Sequence, residues 1–159
     1  MEKQRVYVES SVISYLNPRL SNDAQKRIWQ LQTALWWERR HEWDCVVSDT
    51  VMFEIAEGNA DAAAKRLEMA RSLVILPVPP ETYVLANLLI ARKLIPDSEN
   101  ADAVHLAAAA IHRAKFLLTW NQKHLANPKL SSRVESVIRE YGLEPAKVIT
   151  PEQLLEEPT

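Results

Sequence analysis

Val6-Tyr7-Val8-Glu9-Ser10-Ser11-Val12-Ile13-Ser14-Tyr15-Leu16 is the stretch on which the reading of this chain turns. Three residues suited to extended backbone run directly into a carboxylate, two small hydroxyl residues and a segment with helical apolar spacing. That order predicts a buried first strand with Glu9 at its carboxyl end. A short helix then runs to about Leu16, capped by Ser10 or Ser11 and stopped by Asn17-Pro18. Open parallel sheets keep their sites outside the carboxyl ends of their strands. The rest of the chain is therefore read for carboxylates that converge on Glu9.

Outward from that stretch, helical and extended segments alternate. A helix is expected over 22–40, where Ile28, Leu31 and Leu35 share one stripe and Trp29 and Trp36 a neighbouring one. Its tryptophans, with Trp37, read either as core or as an aromatic face for a partner. Residues 43–48 read as a strand, after which Ser48 or Asp49 caps a helix that presents Glu54 and ends at Gly58-Asn59. An Ala-rich helix over 61–71 precedes a compact strand at 73–76, closed by Pro77, Pro79 and Pro80. Helices follow over 81–93 and 100–114, the second with Asp102 in its first turn. Residues 116–119 form a strand ending at Trp120-Asn121-Gln122. A helix over 131–141 with Gly142 just beyond it, and a short strand at 147–149, complete the pattern. Strands alternating with helices predict an α/β fold: a doubly wound three-layer sandwich around a parallel sheet of four to five strands.

Composition narrows the chemistry. The chain has 159 residues, 47% hydrophobic and 25% charged, which suits one core and reads as a single domain over 1–159. With only 2 Gly, Gly-rich phosphate-binding loops are excluded and nucleotide cofactors disfavoured. The one cysteine, Cys45, lies in an apolar run and reads as a small core residue. No apolar run is long enough to span a bilayer and the N-terminal residues are charged, so a cytoplasmic protein without membrane contact is expected. A net charge of −2 gives no global attraction to nucleic acid, so any such binding depends on a local basic patch. No His/Cys spacing suggests zinc.

Four polar side chains fall at the expected sheet edge: Glu9, Glu54, Asp102 and Asn121. Singly, Glu54 reads as a solvated helix carboxylate, Asp102 as a charge favourable at a helix N-terminus and Asn121 as a turn residue. Glu9 differs, because a carboxylate joined to a buried strand end is costly unless paired, hydrogen-bonded or bound to a metal. Together they suggest one acidic cluster.

The stretch Val6 to Ile13, Glu54 after Ser48, Ala101-Asp102-Ala103-Val104-His105-Leu106-Ala107-Ala108-Ala109-Ala110 and Leu117-Leu118-Thr119-Trp120-Asn121 together resemble a PIN domain over nearly the whole chain. Many bacterial and archaeal members resemble VapC-type toxins, metal-dependent ribonucleases neutralised by a cognate antitoxin. The resemblance implies Mg²⁺ or Mn²⁺ held by Glu9, Glu54 and Asp102, with Asn121 as a further polar ligand, and hydrolysis of RNA phosphodiester bonds. The family pattern has Asp where this chain has Glu9 and Asn121. The first change lengthens a ligand, which favours Mn²⁺ over strictly octahedral Mg²⁺, and the second removes a charge, which lowers metal affinity. A second reading rests on the same departures: a weak or inactive PIN domain that binds RNA or a protein partner without cutting.

Around that set, Ser11 is placed to hydrogen-bond Glu9 or to cap the helix, and Asp97 and Glu99 are reserve carboxylates. His105 either approaches the phosphate or covers the Ala-rich surface. Lys123, His124 and Lys129, with Arg113 and Lys115, are candidate phosphate contacts. Trp120 either stacks on an unpaired base or lies as a lid on the sheet end. Single-stranded or structured RNA, an antitoxin and a second copy in a homodimer are the partners the resemblance implies. An aspartyl phosphatase needs Asp-x-Asp where the chain has Glu9-Ser10-Ser11, and a receiver domain needs an Asp where it has Pro77-Val78-Pro79-Pro80. Neither nucleophile is present.

Overall fold

The computed structural model describes residues 2–158. The strands β1 Arg5–Val8, β2 Asp44–Ser48, β3 Val74–Leu76, β4 Phe116–Leu118 and β5 Lys147–Ile149 form one sheet in the order β3-β2-β1-β4-β5. Every pairing is parallel, with Val6 beside both Cys45 and Phe116. The chain starts at the centre and winds outward to both sides, so the α/β doubly wound expectation is borne out at its upper count of five strands. Central position explains the unbroken apolar run: Val6, Tyr7 and Val8 are covered by strands on both sides and by helices, and all three are 0% exposed.

The helices are α1 Ser10–Ser14, α2 Ala24–Arg39, α3 Asp49–Ile55, α4 Ala60–Ala70, α5 Pro80–Ala91, α6 Asn100–Ile111, α7 Gln122–Leu125, α8 Ser131–Glu140 and α9 Pro151–Glu156. Among the described residues no helix is long and apolar enough to cross a membrane. Ser48 caps α3, accepting from the Val51 N–H at 3.3 Å. The cap of α1 is neither serine but the Glu9 carboxylate, which accepts from the Ser11 N–H at 3.1 Å. Its longer side chain reaches the free donor that a hydroxyl was expected to take.

Two stretches pack differently from their apolar patterns. In α2 the buried face is Gln30, Thr33 and Trp36, while Ile28, Leu31 and Leu35 remain 49%, 50% and 55% exposed. The polar face has bonds to make. The Gln30 amide holds the preceding loop through the Ser21 N–H and the Arg19 carbonyl, and the Thr33 hydroxyl accepts from the Trp120 indole. Strand β3 is a sheet edge, which leaves Val74 and Ile75 54% and 41% exposed where its apolar sequence suggested burial.

Candidate active site

The carboxyl end of β1 and the starts of α1, α3, α6 and α7 meet at one sheet edge, where the topology collects the acidic residues. Glu9 leaves the sheet in extended conformation, its own N–H donating to the Leu118 carbonyl at 3.0 Å. It is 5% exposed and every lone-pair direction of its carboxylate is used. Oε1 accepts from Ser11 Oγ at 2.5 Å and Thr119 Oγ1 at 2.6 Å. Oε2 accepts from Ser10 Oγ at 2.7 Å and the Ser11 N–H at 3.1 Å. Those donors make a buried carboxylate affordable. The same hydroxyls continue into the β4 end, because Ser11 Oγ accepts from the Trp120 N–H at 2.9 Å and Thr119 Oγ1 from the Asn121 N–H at 2.9 Å.

Glu54 projects from α3, with its side chain 33% exposed, and its Oε1 accepts from His105 Nε2 at 2.7 Å. His105 lies on α6 and is 0% exposed, so its ring does not cover a surface as one reading of the sequence had it. Glu9, Glu54 and His105 bring ligand atoms within 4.8 Å of one another. Asp102 belongs to an adjoining cluster with Glu99 and His124, whose ligand atoms meet the same distance, and His124 Nδ1 lies 2.6 Å from Glu99 Oε1. The expected single set of Glu9, Glu54 and Asp102 is therefore spread over two neighbouring groups. His105 and Glu99 enter it, and Asn121 stands at the start of α7.

Asp102 is the electrostatically strained member. Partial burial pushes its carboxyl up from 3.8 to about 6, and the Glu9 and Glu99 charges add to the rise, while His105 and His124 oppose it. At the opposite end of the sheet, burial raises the Cys45 thiol to about 12, as befits a residue that packs rather than reacts.

Trp120 closes one side of the site. It stacks on Trp29 with ring centroids 5.1 Å apart and 19° between planes, and its Nε1–H donates to Thr33 Oγ1 at 2.8 Å. Tyr15 packs edge-on against Trp29, with centroids 5.6 Å apart. One face of Trp120 is thereby taken by Trp29. Lys123 and His124 lie on α7 at the site end. Arg113 and Lys115 precede β4 and sit by Arg5 at the amino end, because a parallel strand carries its two flanks to opposite edges. The basic groups on either side of β4 do not form one patch.

The donor set fits a hard divalent cation of the Mg²⁺ or Mn²⁺ kind: carboxylate oxygens dominate, and the only cysteine lies elsewhere. Glu54 keeps Oε2 free of side-chain partners among the described residues, and release of the Ser10 hydroxyl, a freely rotating donor, opens Oε2 of Glu9.

The chain is a doubly wound parallel α/β protein with acidic side chains gathered at the carboxyl end of its first strand. The fold is similar to that of the Mycobacterium tuberculosis toxin VapC20, which cleaves the sarcin-ricin loop. The two share a TM-score of 0.58 and 16% identity over 76% of this chain and 93% of that one. No protein-family model and no curated protein matches the sequence.

Proposed function

We propose that this chain is a divalent-metal-dependent endoribonuclease, acting as the toxin of a toxin–antitoxin pair in which a cognate antitoxin restrains it. The observation that carries this reading is the pair of adjoining acidic groups at one sheet edge, Glu9 and Glu54 in one and Asp102 in the other, in a fold similar to that of a toxin that cleaves the sarcin-ricin loop. Glu54 and Asp102 would hold Mg²⁺ or Mn²⁺, with Glu9 beside them and Asn121 as a neutral oxygen ligand. The bound ion would supply charge neutralisation at the scissile phosphate and a more acidic water.

The chain's own groups organise the rest. Ser11 and Thr119 fix Glu9 through hydroxyl donors and tie it to the backbone of Trp120 and Asn121. Lys123 and His124 on α7 face the phosphodiester backbone, and Trp120 limits how far a single-stranded or structured RNA enters. The longer Glu9 side chain makes Mn²⁺ a better activator than strictly octahedral Mg²⁺, and the missing charge at Asn121 lowers affinity for either ion.

Cleavage of a panel of RNAs by pure protein with Mn²⁺ tests the reading. Glu54→Gln and Asp102→Asn each lower the rate at least about 100-fold, as expected when a charged ligand is lost from the reacting centre. Activity that survives both changes overturns the assignment. Absence of cleavage and of Mn²⁺ binding in the unaltered protein favours the non-cutting, binding-only reading.

A further inference from the structure

A chain of buried hydrogen bonds runs into the site from the middle of the sheet. Ser48 Oγ and Tyr7 Oη are 2.7 Å apart, Tyr7 Oη and His105 Nδ1 are 2.7 Å apart, and His105 Nε2 lies 2.7 Å from Glu54 Oε1. Ser48, Tyr7 and His105 are each 0% exposed. The links come from four elements: β2, β1, α6 and α3. Ser48 also caps the helix on which Glu54 stands, so the chain leaves that helix at its start and returns to it at its carboxylate.

The proton order follows from what each atom accepts. An ionised carboxylate has no hydrogen to give, so the bond to Glu54 requires the hydrogen on His105 Nε2. Nδ1 then either accepts from the Tyr7 hydroxyl or, in the doubly protonated ring, donates to it. Burial raises the Tyr7 hydroxyl far above its ordinary range, so it stays protonated in either case. Both arrangements leave Nε2–H aimed at Glu54, with no ring lone pair aimed at the acidic cluster. Proximity alone would admit His105 as a metal ligand, since its nitrogen lies within 4.8 Å of the Glu9 and Glu54 oxygens.

We propose that His105 is a positioning residue: it holds one oxygen of Glu54 so that the other faces the metal, with Tyr7 and Ser48 fixing the ring. The proposal rests on the metal-dependent reading above. Glu54 needs such a hold, because its side chain is one-third exposed at the end of a flexible stem on a seven-residue helix. Groups that orient a ligand in this way commonly change metal affinity by about 10- to 100-fold when removed.

Nitrogen-15 imidazole spectra of the full-length protein, without and with saturating Mg²⁺, test it together with calorimetric Mn²⁺ titrations of Tyr7→Phe, His105→Gln and His105→Leu. The expected spectrum shows a hydrogen on His105 Nε2 that persists when Mg²⁺ is bound. Tyr7→Phe, which keeps the ring packing, and His105→Leu each weaken Mn²⁺ binding about tenfold or more. His105→Gln retains an N–H donor and recovers part of that loss, which a residue needed only for packing would not do. Loss of the Nε2 hydrogen on Mg²⁺ binding makes His105 a ligand and overturns the proposal, as does wild-type affinity in His105→Leu. If the unaltered protein binds no metal, the ribonuclease reading fails, and with it the handing of Glu54 to a metal. The Nε2–H bond is then judged by the metal-free spectrum alone.

Discussion

Glu9 and Asp102 are carboxylates at the same sheet edge, yet they sit in opposite environments. Glu9 is the more deeply buried, at 5% exposure, and its oxygens accept from Ser10, Ser11 and Thr119. Asp102 is only partly buried, no side-chain hydrogen bond ends on it among the described residues, and its carboxyl is pushed up to about 6. Depth of burial alone would make Glu9 the more costly charge to hold. What separates them is the supply of donors: hydroxyls from β4 and α1 reach Glu9, whereas Asp102, in the first turn of α6, lies among Glu9, Glu99, His105 and His124 with no hydroxyl bonded to it among the described residues. The β1 corner is thus built as structure, and the α6 turn is left in want of a positive charge.

Substitution at each position breaks the comparison most directly. Glu9→Ala removes the α1 cap and strands buried hydroxyls, at a cost of about 3 kcal/mol. Urea unfolding of the metal-free protein measures it. Asp102→Asn has the opposite sign. A carboxyl raised from 3.8 to about 6 favours the fold only while protonated. Its contribution is fully present below about pH 4 and is lost as pH rises through about 6. At pH 7.5 the amide therefore leaves the metal-free protein as stable as the parent or more so, while Mn²⁺ binding disappears. A Glu9→Ala variant as stable as the parent would show that the hydroxyl network contributes nothing.

The pH dependence of metal binding sharpens the same contrast. Protons and Mn²⁺ compete for the ionised Asp102, so calorimetric affinity is flat above about pH 7. It falls towards tenfold per unit once pH drops below about 6. A midpoint near pH 4 would instead mean that Asp102 is not the group the cation meets.

The α/β architecture was legible because its strands are short apolar runs ending in punctuating residues: Val6 to Val8 before Glu9, and Val46 and Val47 before Ser48. The convergence of Glu9 and Glu54 followed from their place just beyond parallel strands. The relay was harder to see. A lone histidine in an Ala-rich helix carries no pattern, and His105 acquires a role only from Tyr7, 98 positions away. One local signal was available, since Tyr7 and Glu9 are two apart on extended backbone and so share a face. The helices α7 and α9 are too short for periodicity to register, although Thr150-Pro151-Glu152-Gln153 does form a capping box. In α2 the apolar stripe misled, because hydrogen bonds to Gln30 and Thr33 outweighed burial of Ile28, Leu31 and Leu35.

The smallest expected effect separates the stability of α6 from the charge at its first turn. The far end of this helix closes with Arg113 at φ 58, where its N–H donates to the Ala110 carbonyl at 3.0 Å and the Ala114 N–H to the Ala109 carbonyl at 2.9 Å. That closure places the Ala109 and Ala110 carbonyls in bonds, but it demands left-handed backbone that glycine adopts freely and arginine does not. Arg113→Gly relieves about 1 to 2 kcal/mol of steric cost. The freer unfolded chain offsets about 0.5 to 1 kcal/mol of this. The net gain is at most about 1.5 kcal/mol, read as a raised melting temperature in the metal-free protein. Arg113 lies beyond the amino end of β4, away from the acidic cluster, so the Mn²⁺ affinity should stay at its parent value. A shift in that affinity would mean that the geometry of Asp102 depends on how firmly the whole helix is closed. The contrast with Glu9 would then owe as much to helix rigidity as to the absence of donors.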